Sequence, residues 1–366
     1  MTKSAPIISS TGLVVWPYEE QTRRKHEIVR RYFDCWIKIL GKWSSLNCFD
    51  CFGGGGAYGD PEHPSYGSPI LEAQCIDANR ERLNRDVRLI VIEKNHSNIE
   101  NMKRAFDQAA TKTQPIYVEN DFDRAINDIL DRADLTPSFF FIDPFGFSIR
   151  YATLERIMRV PKSEMFINFM FNAVNRFLSA HAVEENMTAL YGTDEWRPIV
   201  NLGGEIRERA LYDLYRTQLK GLGRFVYGYP MSFEKRRRTY YYLFHVTNNS
   251  KGCTIMKSVV AKACDGYLGY RGPNQYEPTL FDTPALRITD AKTFLIEHFT
   301  GKTLTYGQLV EQLADSTPYL ESELRASVKG LEPVSVIVNR PPTSPGGRRR
   351  NGLCEQDVLS FPQEAQ

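Results

Sequence analysis

No stretch of this sequence approaches the ~18 consecutive apolar residues that a membrane-spanning helix requires. The longest apolar candidate, residues 165–171, has the length of a strand. The first residues, Met1-Thr2-Lys3-Ser4-Ala5-Pro6, contain no apolar segment of the secretory kind, so no leader is expected. Charge of one sign is also missing: 46 Lys and Arg face 44 Asp and Glu, a net charge of +2. A basic field over the whole chain is thereby excluded, and any nucleic-acid argument must rest on local patches. The seven cysteines are scattered. Cys48 and Cys51 have no second pair or nearby histidine to complete a zinc site, so the thiols are expected to be plain side chains and no metal is expected. No Gly-Lys-Ser/Thr occurs, which excludes a Walker loop. Together these absences predict a cytoplasmic protein with no membrane partner.

The composition of the 366 residues, 42% hydrophobic and 25% charged, is that of a soluble globular chain. The length suits one large domain and a smaller one. Residues 20–40 repeat Ile28, Val29, Tyr32, Phe33, Trp36, Ile37 and Leu40 at helical spacing, which predicts an amphipathic helix with Arg23, Arg24, Lys25, Arg30 and Arg31 on its opposite face. Strand and helix patterns then alternate. Strands are predicted at 46–52, 87–93, 115–119, 138–143 and 164–170, and helices at 68–83, 97–110, 122–133 and 151–159. Residues 57–68, with their Pro and Gly, read as a loop. Such alternation implies βαβ units and a parallel sheet. A mainly helical stretch, 172–222, is too long for a simple crossover and reads as an insertion. Strands at 224–229 and 239–247 flank a basic turn as a terminal hairpin, and 254–264 closes as a helix.

The composition then shifts. Residues 266–284 are rich in Gly, Pro, Tyr and Asn and read as a linker. Helical patterns at 291–299, 305–313 (with Thr305 as cap) and 319–330 precede a strand at 334–339, a Pro/Gly/Arg loop and an apolar end at 353–361. Three helices followed by a hairpin with a basic tip is the plan of a winged helix-turn-helix. The expected organisation is an N-terminal helical region over 1–45, a main domain over 46–265, a linker over 266–286 and a winged-helix domain over 287–366.

In an open α/β sheet, ligands sit beyond the carboxyl ends of the strands. Four successive strand ends here carry suitable residues. The first ends in Asp50-Cys51-Phe52 followed by glycines 53–56, which allow close backbone approach. The second ends in Glu93, the acidic position that takes ribose hydroxyls in nucleotide sites. The third is followed by Asp121-Phe122, and the fourth ends in Asp143-Pro144-Phe145-Gly146. Asp121 also has the plainer reading of a helix N-cap. The glycines do not open a helix as a dinucleotide pyrophosphate loop does. Asp50, just before them, suits a cofactor with a cationic amino-acid end better than one with a pyrophosphate. S-adenosylmethionine fits; a nicotinamide dinucleotide fits poorly. A nuclease reading fails because Glu93-Lys94 lacks the intervening residue of a Glu-x-Lys metal site.

Asp143-Pro144-Phe145-Gly146 after a hydrophobic strand resembles the Asp-Pro-Pro-Tyr motifs of amino-methyltransferases, and is closest to the Asp-Pro-Phe-Gly form of tRNA guanine dimethyltransferases. Residues 16–265 resemble the three-Cys-motif partner protein family. The matching features are Lys25-His26, Asp50-x-Phe52-x-Gly54-x-Gly56, Gly67-Ser68-Pro69, Ile92-Glu93, Ile142 to Gly146, and Ile167-Asn168-Phe169-Met170 with Asn175-Arg176-Phe177. The glycine run departs from that family's usual Ala-Gly-Pro-Gly in side chains the loop can spare. The resemblance implies a Rossmann-like class I methyltransferase sheet, mostly parallel with a terminal antiparallel hairpin, and an appended winged helix. It implies that Asp50, Gly54 and Gly56 cradle the methionine end of S-adenosylmethionine, with Phe52 in the same motif. Glu93 would hold the ribose, Asp121 and Phe122 would contact adenine, and residues 143–146 would hold a target amine. A partner protein carrying a three-Cys motif is a further implication.

Two basic runs, Lys235-Arg236-Arg237-Arg238 in the hairpin turn and Arg348-Arg349-Arg350 at the expected wing tip, are candidate phosphate contacts. The expected function is therefore S-adenosylmethionine-dependent methylation of an exocyclic amine on a nucleic-acid base. The alternative is a catalytically degenerate fold that recruits a protein or nucleic acid.

Overall fold

The computed structural model describes residues 5–133, 135, 137–233, 238–272, 284–341 and 352–363. These fall into two compact units, 1–275 and 276–366.

The first unit is built on a seven-stranded sheet: β1 (Leu46–Asp50), β2 (Val87–Ile92), β3 (Ile116–Val118), β4 (Ser138–Ile142), β5 (Ser163–Phe169), β6 (Phe225–Ser232) and β7 (Thr239–Thr247). Their order across the sheet is β3-β2-β1-β4-β5-β7-β6. β1 pairs in parallel with both β2 and β4, β2 with β3, and β4 with β5. β7 runs antiparallel to both β5 and β6. The expected mostly parallel sheet with a terminal antiparallel hairpin is thus observed. Strand order reverses beside β1, which places a crevice at its carboxyl end.

Near-continuous apolar runs such as Ser138-Phe139-Phe140-Phe141-Ile142 form strands because both faces of the sheet are covered. One face carries Phe49, Phe140, Ile167, Phe169 and Phe244 into a core with α4 (Phe122–Leu130), α5 (Tyr151–Met158), α7 (Glu184–Tyr191) and α8 (Gly204–Lys220). Phe49 and Phe140, on neighbouring strands, stack with ring centroids 4.5 Å apart. The other face takes Phe139 against Tyr32, Phe33 and Trp36 of α1 (Glu20–Leu40), beside α2 (Ser68–Asn79) and α9 (Ser250–Ala263). The 172–222 segment includes much of α6 (Phe171–Phe177), all of α7 and α8, and Trp196. Its Tyr191, Trp196, Leu211, Tyr215 and Leu219 belong to the sheet's own core.

Several features depart from the sequence expectation, among them a short strand pair of Ile7–Ile8 with Val14–Val15 and a helix that begins at Pro284, inside the expected linker. Lys25 does not lie on the solvent face of α1; it is buried on the stripe of Val29, Tyr32 and Trp36, four, seven and eleven residues on. Residues 57–68 are not only loop: Ala57–Gly59 and Pro64–Tyr66 form a short antiparallel hairpin that Trp16 joins beside Tyr58. A short strand at Thr303–Thr305 was also unforeseen. The stretch after α9 packs along the sheet edge as far as Tyr270, whose N–H donates to Pro230 O at 3.0 Å and whose carbonyl accepts from Ser232 N at 2.8 Å.

The second unit has α10 (Pro284–Phe299), α11 (Tyr306–Leu313) and α12 (Glu321–Leu331). With them is a three-stranded antiparallel sheet in the order Thr303–Thr305, Val358–Ser360, Ile337–Asn339. Its core is separate: Ala291, Leu295, Phe299, Leu309, Leu324, Val328, Val336 and Leu359. Thr305 caps α11 in a capping box, Thr305 Oγ1 accepting from Gln308 N and Gln308 Oε1 from Thr305 N. Among the described residues no helix is long and apolar enough to cross a membrane.

Candidate functional site

Parallel pairing of β1, β2 and β4 carries Asp50, Glu93 and Asp143 to the same edge of the sheet. Asp50 is fully buried. Its Oδ1 accepts from Phe52 N at 3.3 Å, and among the described residues its Oδ2 has no hydrogen-bond partner. Burial pushes its pKa up to about 7, and the neighbouring Asp143 charge pushes the same way; Ser68, the Phe52 N–H and Lys25 oppose.

The glycine loop turns back from β1 over β2. Gly53 N donates to Ile92 O at 3.0 Å, and Gly54 N to Glu93 Oε2 at 2.9 Å. The other Glu93 oxygen accepts from Asn95 N at 2.8 Å. Gly54 and Gly56 adopt φ of +62° and +77°, a region open to glycine at little cost. Asn101 of α3 (His96–Ala109) pins the loop from outside: its Nδ2 donates to Gly55 O at 2.7 Å and to Val14 O at 2.8 Å, while its Oδ1 accepts from Val14 N. The Ala57–Tyr66 hairpin folds over the same edge. Its Tyr58 ring packs on Tyr18 and His26, with centroids 5.3 and 5.2 Å away, and the Tyr58 hydroxyl is the nearest atom to a Cβ at Gly54, at 3.8 Å. Burial drives the His26 pKa down to about 3, so its ring is neutral where it meets the Tyr18 hydroxyl at 3.0 Å.

At the end of β4, Asp143 is gripped from two sides. Lys25 Nζ of α1 forms an ion pair with Oδ2, and Asn168 Nδ2, near the end of β5, donates to Oδ1 at 2.6 Å. Pro144 is buried. Phe145 is 74% exposed, followed by Gly146 at φ +91° with open space around it. Asp143 therefore acts as an acceptor of N–H donors, and an aromatic face stands beside it.

The remaining candidates divide. Phe122 is buried against Phe52, centroids 5.2 Å apart, and Asp121 is exposed with its Oδ1 accepting from Asp123 N at 3.1 Å as the N-cap of α4. Because β6 is antiparallel to β7 and β7 to β5, β6 runs with the core, and the hairpin turn leaves the sheet at the edge that carries Asp50 and Asp143. Arg238 is exposed there, its carbonyl accepting from Phe233 N at 3.0 Å. Lys235, Arg236 and Arg237, and Arg348, Arg349 and Arg350, lie outside the described residues.

Sequence reasoning gave no role to Asn101, Asn168 or Tyr58 and placed Lys25 in solvent. The signal for Lys25 was available: its spacing from Val29, Tyr32 and Trp36 puts it on the apolar stripe. Asn101 and Tyr58 carried no such mark, since their partners are distant in the chain.

No family model matches the chain, and no curated protein matches it. Among solved structures it is similar to a SAM-dependent methyltransferase from Agrobacterium tumefaciens, at 12% identity and TM-score 0.34, over 59% of this chain and 61% of that one. It is similar to a Legionella pneumophila protein at 10% identity and TM-score 0.38, over 66% and 92%. It is also similar to precorrin-6y C5,15-methyltransferase from Geobacter metallireducens at 10% identity and TM-score 0.30, over 58% and 87%. At these values no residue role passes from those proteins to this chain.

Proposed function

We propose that this chain binds S-adenosylmethionine and transfers its methyl group to an exocyclic amine of a nucleic-acid base. The observation that carries the reading is the convergence of Asp50, Glu93 and Asp143 on one sheet edge around a glycine loop whose φ values are positive at Gly54 and Gly56. The donor set fits the cofactor. Asp50 Oδ2, buried and without a hydrogen bond among the described residues, suits an ammonium as its counter-charge. Glu93 spends one lone pair of each oxygen on a backbone N–H, and the remaining pairs suit ribose hydroxyls. When bound, S-adenosylmethionine supplies an electrophilic methyl group on a sulfonium.

The chain's own contribution is positioning. Asp143 accepts N–H donors, so with the Pro144 carbonyl it would orient an amine lone pair, and exposed Phe145 would stack on the base. A base in a duplex must be flipped out to reach such a pocket. Arg238 would hold a phosphate at the rim. We assign residues 287–366 as the winged helix and class the whole with the three-Cys-motif partner proteins, on the motifs above. A second reading, a silent fold that recruits a partner, is favoured by one observation: both Asp143 oxygens already have protein partners.

Calorimetry with S-adenosylmethionine tests the first step. Binding that disappears in Glu93→Ala supports the reading, and absence of binding to the wild type at any concentration ends it. Nucleoside analysis of nucleic acids from cells with and without the protein identifies the base. If the biological activity survives Asp143→Ala, the recruiting reading replaces catalysis.

A further inference from the structure

We propose that Lys25 is a positioning residue of this site: it grips Asp143 from the side opposite Asn168 and is the counter-charge that Asp143 and Asp50 share. Three elements meet to make the arrangement. α1 presents Lys25 on its buried stripe, β4 ends in Asp143, and β5 brings Asn168 to the other carboxylate oxygen. Lys25 is 6% exposed, and a lysine is buried at that level only when its ammonium is paired. Its Nζ lies 5.5 Å from the centre of the Tyr241 ring, whose hydroxyl donates to Gln21 O one turn earlier on α1 at 2.8 Å. Removing the ammonium leaves a half-buried carboxylate held from one side and free to turn.

The titratable groups around Lys25 and the two carboxylates are His26, Tyr58 with Tyr18 and Glu93 beside it, Tyr240 and Tyr241, and, on the far side of Asp50, Cys48, Cys51 and the buried Glu72, whose ionisation burial and the Asp50 charge both disfavour. His26 is neutral, because burial and the Lys25 charge hold its pKa near 3, so it does not substitute for the ammonium. Asp50 feels both partners: the Asp143 charge disfavours its ionisation and Lys25 favours it. The inference rests on the proposed cofactor reading, in which Asp50 faces the ammonium of S-adenosylmethionine.

The test is calorimetric titration of the full-length chain with S-adenosylmethionine between about pH 5 and 9, a range that brackets the Asp50 transition. Wild type, Lys25→Met, Lys25→Arg and Asp143→Asn are compared, with thermal melts confirming the fold. Lys25→Met should move the pH midpoint of binding upward by about one unit, a roughly tenfold loss of affinity on the acid side. Lys25→Arg should restore the midpoint, and Asp143→Asn should move it downward. A folded Lys25→Met with the wild-type midpoint overturns the proposal. If Lys25→Met does not fold, an unmoved midpoint in Asp143→Asn overturns it instead. Wild type that binds no cofactor at any pH removes the functional reading, whereas binding with unmoved midpoints removes only the Lys25 assignment.

Discussion

A carboxylate shut off from water with one oxygen lacking a hydrogen bond is costly to ionise, and among the described residues Asp50 is such a group. With its pKa at about 7, the folded protein holds a proton there that the unfolded chain releases near pH 4. Between those values the native state binds more protons, so this group's contribution to stability declines as pH rises. Asp50→Asn should therefore stabilise the free protein above neutrality, by up to about 4 kcal/mol in urea unfolding. It should also abolish cofactor binding. In the wild type, affinity for S-adenosylmethionine should fall as pH drops through about 7, because neutral Asp50 gives the ammonium no partner; a flat profile by calorimetry would refute the role of Asp50. The glycines separate two effects. A Cβ on Gly53 meets Val91 Cγ1 at 2.4 Å and Met102 Cε at 2.7 Å, so Gly53→Ala should cost about 1–3 kcal/mol through overpacking. Gly54→Ala has space, with its nearest atom at 3.8 Å, but must hold φ +62°. It should cost about 1–2 kcal/mol and weaken cofactor binding more than it weakens the fold.

Among the elements, α1 combines two roles. Its stripe of Ile28, Val29, Phe33, Trp36 and Ile37 packs on the sheet, and the same stripe delivers Lys25 to the strand ends. The periodicity that predicts the helix also predicts this placement, but residue type suggested the solvent face; the ion pair with Asp143 is what overrides that preference. The Ala57–Tyr66 hairpin was illegible for another reason. Three-residue strands carry too few alternations to stand out from a Pro- and Gly-containing loop, and Trp16 joins the pairing from outside it. In the second unit the cap at Thr305 was legible because its determinants, Thr305 and Gln308, are local. Thr305→Ala should lower the stability of residues 276–366 by about 1 kcal/mol and leave the 1–275 transition unchanged, which differential scanning calorimetry can resolve.

For the whole molecule, the net charge of +2 coexists with two local basic runs in the sequence, Lys235–Arg238 and Arg348–Arg350. The parallel course of β6 puts its turn at the carboxyl edge of the sheet, so Arg238 stands on the rim of the proposed site. If this rim holds a phosphate backbone, affinity for single-stranded nucleic acid should fall steeply with salt, and Arg238→Ala should lower the slope of log affinity against log salt by about 0.7. An unchanged slope would place the phosphate contacts elsewhere. Of the candidate site, the placement of Asp50, Glu93 and Asp143 at strand ends was legible because strand ends follow from hydrophobic periodicity, and periodicity is a property of consecutive residues.

The sequence by itself determined the alternation of strands and helices, the acidic residues and glycines at strand ends, and the separate C-terminal pattern, since each is written within one element. Only the tertiary structure decided that Lys25 reaches Asp143, 118 residues away, that Asn168 holds the other oxygen, and that Asn101 pins Gly55 to the N-terminal segment. Those contacts exist because strand order and register bring distant side chains to one edge, where burial makes an unpaired charge or amide costly and so selects its partner.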